Sequence, residues 1–154
     1  MPAGEIVPAA AGGSSVDLTD PFRPVHVNSP LSQHDVDRLE RVIRYAESNS
    51  GLRFSVFVGP AEGDTRAHAI RLHAALDDPE RSVLLLVDPA AHALEIVTGS
   101  ATRRVLGDGE CRLAAATMQT SFAAHDLAGG LTAGIQQLAT AAYEAPTLHA
   151  GEQY

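Results

Sequence analysis

Apolar residues first recur at helical spacing after residue 31. Val36, Leu39, Val42, Ile43 and Ala46 fall on one stripe of a 3.6-residue period. Ser32 stands ahead of the stripe as an N-cap, and Asp35 sits three residues on, a capping-box-like placement with Asp where Glu or Gln is usual. Leu31 and Val36 occupy the two positions of a hydrophobic staple, and Gly51 is a natural left-handed stop. Together they predict a helix between Ser32 and Gly51. The period then drops to that of a strand over Arg53 to Val58, ended by Gly59-Pro60. Asp64 or Thr65 opens a second predicted helix reaching about Leu76, with Ala69, Leu72 and Leu76 on one face. Asp77-Asp78-Pro79 breaks it.

The stretch from Arg81 to Val87 carries an unbroken apolar run, the pattern of a central strand covered on both faces. Asp88-Pro89-Ala90-Ala91 suits a type I turn, and Ala93 to Thr98 reads as the returning strand. So short a connection demands an antiparallel hairpin. Gly99 ends that strand, and the remainder is helical. Asp108 is expected to cap a helix from about Gly109 to Ala124, with Cys111, Ala114, Met118 and Phe122 inward. Asp126 is expected to cap a last helix to about Tyr143, with Leu127, Leu131, Ile135, Leu138 and Ala142 on its stripe. Gly129, Gly130 and Gly134 lie within it, each at a cost of about 1 kcal/mol against Ala. Three of them together predict a close approach to a neighbouring element or an irregular first turn.

The fold class that follows is α/β, with a mixed central sheet of about four strands flanked by helices in the order α-β-α-β-β-α-α. Val25 to Val27 supplies a short edge strand. The domain is expected to span residues 25–145. Residues 1–24, rich in Ala, Gly, Ser and Pro, and residues 146–154 are expected to be disordered tails.

Composition narrows the function classes. A chain of 154 residues fits one domain and buries enough surface to fold without a disulfide or a structural metal. The formal charge is −8, unsuited to neutralising nucleic-acid phosphates. All 11 basic residues are arginine, which points to a GC-rich genome and excludes lysine chemistry of every kind. Cys111 is the single cysteine, so no intramolecular disulfide exists. The longest apolar run, Val83 to Val87, is far short of the roughly 20 residues a membrane-spanning helix needs. Met1 to Ser15 shows neither the basic nor the apolar region of a signal peptide. The expected location is cytoplasmic, with no direct membrane insertion.

Three segments in order carry a family resemblance. They are the strand Val83-Leu84-Leu85-Leu86-Val87 with its tight turn, the segment Leu94-Glu95-Ile96-Val97-Thr98-Gly99, and Phe122-Ala123-Ala124-His125-Asp126-Leu127-Ala128-Gly129-Gly130-Leu131. With Asp108 opening the penultimate helix, they resemble the TPM domain family over about Leu31 to Tyr143. Two positions depart from that family's pattern. Ala101 stands where its second glycine would be, and Asp78 to Ser82 replaces its short Asp/Asn-Gly turn. Family members often carry a signal peptide and a membrane anchor, so the resemblance is to a divergent, stand-alone, actinobacterial branch. It implies divalent-metal binding in acidic loops, acid phosphatase activity, and assembly or repair of membrane complexes.

Each candidate group has a structural duty that competes with its chemistry. Asp64, Asp108, Glu110 and Asp126 are the candidate metal ligands, for Ca²⁺ or Mg²⁺, because hard cations take carboxylate oxygens. The competing and favoured reading makes each a cap or first-turn acid that answers free N–H groups and the helix dipole. His68 and His73 are five apart on a predicted helix and cannot share an ion. His34 with Asp37 has a usable spacing but reads as a solvated pair, and His125 precedes the Asp126 cap. Cys111 falls in a helix's first turn, where a dipole lowers a thiol's pKa, yet it also lies on the apolar stripe, where cysteines are inert. Gly99 to Arg104 could hold an anion on its N–H groups, or be an ordinary turn. Arg38, Arg41 and Arg44 read as a solvated helix face. The chain contains no Gly-x-Ser-x-Gly, His-Glu-x-x-His or Cys-x-x-Cys, and no residue is assigned as catalytic.

Two functional expectations result. The first is a non-enzymatic binding or adaptor domain of TPM type, with a divalent cation in its acidic loops. It acts on a protein partner and reaches any membrane complex only through that partner. The alternative is a weak metal-assisted acid phosphatase.

Overall fold

The computed structural model describes residues 25–27 and 31–152, and the side chains of residues 31–143. The expected tail over residues 1–24 lies outside the described residues. Helix α1, Gln33–Ser50, begins as its cap predicts. Ser32 is extended, and its hydroxyl accepts the Asp35 N–H at 3.0 Å. It ends at Gly51, whose φ of 77° only glycine adopts at little cost. Val36, Leu39, Ile43 and Ala46 are buried along the expected stripe.

Strands β1 (Val25–Val27), β2 (Arg53–Val58), β3 (Ser82–Asp88) and β4 (Ala93–Thr98) form one mixed sheet in that spatial order. The first three are parallel and β4 returns antiparallel to β3, from Asp88↔Ala93 to Val83↔Thr98. Every residue of β3 is buried, because helices cover both faces of the sheet. On one face Phe54, Val56, Val58, Val83, Leu85 and Val87 meet α1, α3 (Asp108–Ala123) and α4 (Leu127–Glu152). On the other, Phe57, Leu84, Leu86 and Val97 meet α2 (Thr65–Ala74) through Ala69 and Leu72. The result is a three-layer α/β domain.

Helix α4 packs between α1 and α3, and its glycines permit that closeness. A Cβ on Gly134 would meet Met118 of α3 at 2.5 Å, and one on Gly130 would meet Phe122 at 2.7 Å. Gly99 is needed for another close approach. A Cβ there would run into the backbone carbonyls of Pro79 and Glu80, in the short 3₁₀ turn Pro79–Arg81 beneath the end of β4.

The free edge of β4 is covered rather than offered for pairing. Arg66 donates to the Ile96 carbonyl at 2.9 Å and Arg103 to that of Thr98 at 3.2 Å.

Three boundaries differ from expectation. Helix α3 is capped by Gly107 rather than Asp108, because Glu110 Oε1 reaches back to accept the Gly107 N–H at 3.0 Å. Helix α2 closes at Ala74, two positions short, and Ala75 N–H turns back to the Arg71 and Leu72 carbonyls. Helix α4 runs past Tyr143 and through Pro146 to Glu152, where a C-terminal tail was expected from residue 146. Proline removes one N–H from the ladder, at a cost of about 3 kcal/mol in a helix interior.

Candidate functional site

Two local motifs, far apart in sequence, each place a histidine in left-handed backbone. The first is the β3–β4 hairpin. Ala91 N–H donates to the Asp88 carbonyl and His92 N–H to that of Pro89, both at 3.2 Å. A type I turn of this length closes on a residue with positive φ, and His92 takes it at 54°. The second is the end of α3. His125 N–H bonds the Phe122 carbonyl and Asp126 N–H bonds that of Ser121, both at 2.9 Å. This 5→2 and 6→1 pair is a Schellman motif, whose left-handed position usually holds glycine. Here it holds His125, with φ 65°. Among the described residues these two histidines are the only non-glycine residues with positive φ.

Both line the same cleft, about 870 Å³ in volume, at the carboxyl end of β3. Ligands in open α/β sheets favour that end, and the volume is in the range of ligand sites. Its apolar surface comes from Val87, Leu94, Phe122 and Leu127. Its polar groups come from three directions: Asp35 and Arg38 from the first turns of α1, Asp88 and His92 from the hairpin, and His125 with Asp126 from the α3–α4 junction. Asp88 is 7% exposed and spends both oxygens on backbone, Oδ2 on Ala61 N–H at 3.0 Å and Oδ1 on Ala91 N–H at 3.2 Å. It is a brace for the cleft wall. Asp126 caps α4 by accepting the Gly129 N–H at 2.9 Å. Arg38, His92 and His125 are exposed and line the cleft.

Of the four carboxylates considered as metal ligands, the structure brings only Asp126 into this cleft. Asp64 caps α2, accepting the Ala67 N–H at 2.9 Å. Glu110 accepts the Gly107 N–H ahead of α3, and Asp108 is the first residue of that helix. Among the described residues no group of three or more His, Cys, Asp or Glu side chains stands close enough to hold a metal ion. Asp64, Asp108, Glu110 and Asp126 therefore do not form one side-chain cluster.

The other candidates have structural partners. His68 and His73 are both buried on α2 and bond backbone groups of Glu62 and Ser82. Asp37 pairs with Gln33 rather than His34. In the turn after Gly99, the N–H groups of Ala101, Arg103 and Arg104 bond the carbonyls of Glu80, Gly99 and Ala101, and so are engaged within the turn and with the 3₁₀ segment rather than offered to an anion. Cys111 is half-buried. Burial, then the charges of Asp108 and Glu110, push its thiol pKa up, against a smaller opposing effect of Arg66.

The sequence left His92 without a role and placed Arg38 on a solvated helix face. His92 had a signal: a four-residue hairpin loop built on a type I turn needs one left-handed residue, and the loop 89–92 contains no glycine. Arg38 had none, since only the docking of α1 beside the hairpin distinguishes it from Arg41 and Arg44.

A family model described as a domain of unknown function, DUF5130, matches residues 1–139. The Mycobacterium tuberculosis protein called Uncharacterized protein Rv2468c is 27% identical over 138 residues, covering 90% of this chain and 81% of that protein. Among solved structures, the N-terminal domain of a P. gingivalis protein superposes with a TM-score of 0.71 at 20% identity, over 97% of this chain and 96% of that one. The BA42 protein from Bizionia argentinensis gives 0.69 at 19% identity, over 77% and 86%. These structures share the fold. None of these matches names the TPM domain. Among the described residues no helix is long and apolar enough to cross a membrane.

Proposed function

This chain belongs to the DUF5130 family, and we propose that it is a non-enzymatic binding domain of TPM type whose working part is the cleft at the carboxyl end of β3. The observation that carries the reading is the pairing of two strained histidines at one cleft. A non-glycine residue at positive φ is disfavoured, and such strain collects where function holds it in place. Glycine would relieve it at both His92 and His125, and neither position has it.

The ligand is a protein segment. An apolar floor bounded by Arg38, His92, His125 and Asp126 offers contact area and a few directional groups, as peptide grooves do. Through such a partner the domain would act in the cytoplasm or at a membrane complex. The metal-assisted phosphatase reading has no carboxylate cluster behind it among the described residues.

The test is a random-peptide display selection against the purified chain, with amide shifts recorded for each selected peptide. Shifts at residues 88–94 and 122–128, and binding weakened about tenfold or more in His92→Ala and Arg38→Ala, support the reading. Peptides that leave those amides unmoved, or bind both variants as well as the parent, overturn it. Hydrolysis of a phosphomonoester by protein of proven purity, lost in Asp126→Ala, would revive the phosphatase instead.

A further inference from the structure

The loop from Gly59 to Asp64, between β2 and α2, is held by side chains at two points. Ala61 N–H donates to Asp88 Oδ2 at 3.0 Å, and Glu62 N–H donates to His68 Nδ1 at 2.9 Å. The second tie has an imidazole as acceptor. It exists only while His68 is neutral with its proton on Nε2, because an imidazolium has donors and no acceptor.

The surroundings of His68 are unusual for a residue kept for packing. It is 1% exposed. Phe57 of β2 meets its ring edge to face, with centroids 5.5 Å apart and planes at 72°. Among the described residues its Nε2 has no hydrogen-bond partner, and neither has the buried Oε2 of Glu62. A buried donor left unpaired is destabilising. A leucine here would avoid that penalty but could not hold the Glu62 N–H.

We infer that His68 is an acid-sensitive latch: its protonation turns the Nδ1 acceptor into a donor, breaks the bond to Glu62 and frees the β2–α2 loop at that point. The charged groups around it come from several elements. The Glu62 carboxylate, from the loop, favours the imidazolium, and Arg71, on the same helix, opposes it. Phe57 contributes no charge. On β3, Asp88 has both oxygens committed to backbone N–H groups, and on β4 Glu95 is paired with Arg66 at 3.3 Å. Burial is the largest influence and holds the imidazole below its ordinary pKa of 6.5. The unfolded chain therefore takes up this proton before the folded one does. The His68 contribution to stability is complete above about pH 6.5 and declines as the pH falls below it.

The latch adjoins the cleft. Asp88 holds Ala61 of this loop with one oxygen and Ala91 of the hairpin with the other, and the next residue is His92. Loss of the Glu62 bond removes the support next to the Ala61–Asp88 tie on that wall. This consequence rests on the binding reading above, whereas the latch itself does not.

The experiment uses the full chain. Long-range ¹H–¹⁵N spectra read the His68 tautomer, and amide shifts and exchange protection of Ala61 and Glu62 are followed from about pH 7.5 to about pH 5. The expected result is an Nε2–H tautomer at the upper pH, a Glu62 amide that titrates with the imidazole, and protection at Glu62 falling about tenfold more than at β3. His68→Asn places an amide oxygen near the Nδ1 position, and its Glu62 protection is expected to hold across the range. An Nδ1–H tautomer, a Glu62 amide indifferent to pH, or the same loss in His68→Asn overturns the latch. Should the variant fail to fold, the tautomer and the parent's titration decide. Peptide binding that weakens in step with the Glu62 amide supports the link to the cleft. Peptide binding that ignores pH while the amide titrates overturns that link and leaves the latch standing.

Discussion

Asp88, the last residue of β3, accepts the N–H of Ala61 at 3.0 Å and so fixes the loop that leaves the neighbouring strand. Its other oxygen accepts the Ala91 N–H at 3.2 Å. Two loops 30 residues apart, at Ala61 and Ala91, thus hang on one buried carboxylate. Asp88→Ala is expected to lose about 2–4 kcal/mol in urea unfolding, since bonds to a charged acceptor are the stronger kind and one N–H donor is left in a part-buried site. Asp88→Asn keeps one acceptor and should lose about half as much.

His125→Gly should stabilise the chain. The left-handed position of a Schellman motif suits glycine, and the relief is about 0.5–1 kcal/mol. His125→Ala gains nothing, because alanine meets the same φ of 65°. Thermal melts of both variants check this. Combined with weaker peptide binding in His125→Gly, a higher melting temperature would show stability given up for the cleft.

The contact of α4 with α3 predicts a coupled pair. A Cβ on Gly134 overlaps Met118, which is fully buried. Gly134→Ala gains about 1 kcal/mol of helix propensity but overpacks by about 1–3 kcal/mol, so a net loss is expected. In a Met118→Ala background, itself about 2–5 kcal/mol less stable, the same change should become neutral or favourable. A double-mutant cycle that shows simple additivity would contradict the close approach.

The loop carboxylates should behave as independent caps. Asp64→Ala and Asp126→Ala are each expected to lower stability by about 1 kcal/mol, with the double variant additive. Millimolar Ca²⁺ should leave the melting temperatures of the parent and the double variant unchanged relative to each other. A Ca²⁺-dependent rise in the parent alone would restore a shared cation site.

Most local structure was legible in the order of residues. The Ser32 cap, the Val36-to-Ala46 stripe and the Gly51 stop each depend on neighbours within one or two helical turns, and each appears as expected. The apolar run in β3 and the short connection at Asp88 sufficed for a central strand and an antiparallel return. The three glycines of α4 announced a close neighbour or an irregular first turn; Gly130 and Gly134 meet α3, while Gly129 lies against the cap Asp126, and Met118 as a neighbour follows only from packing. The caps were nearly right. Gly107 displaced Asp108 because the Glu110 carboxylate, from within the helix, reached the earlier N–H.

The cleft was not legible, and the reason is physical. Its walls come from α1, the β3–β4 hairpin and the α3–α4 junction, separated by dozens of residues. Periodicity and capping report which face of one element is apolar and where it stops. They carry no information on which loops meet once the sheet has paired and the helices have docked. By itself the sequence determined the elements, their order and the buried faces, since those follow from spacing and local hydrogen bonding. Only the tertiary structure decided that Arg38, His92 and His125 line one cleft, and that His68 lies buried with one nitrogen bound and the other, among the described residues, unpaired.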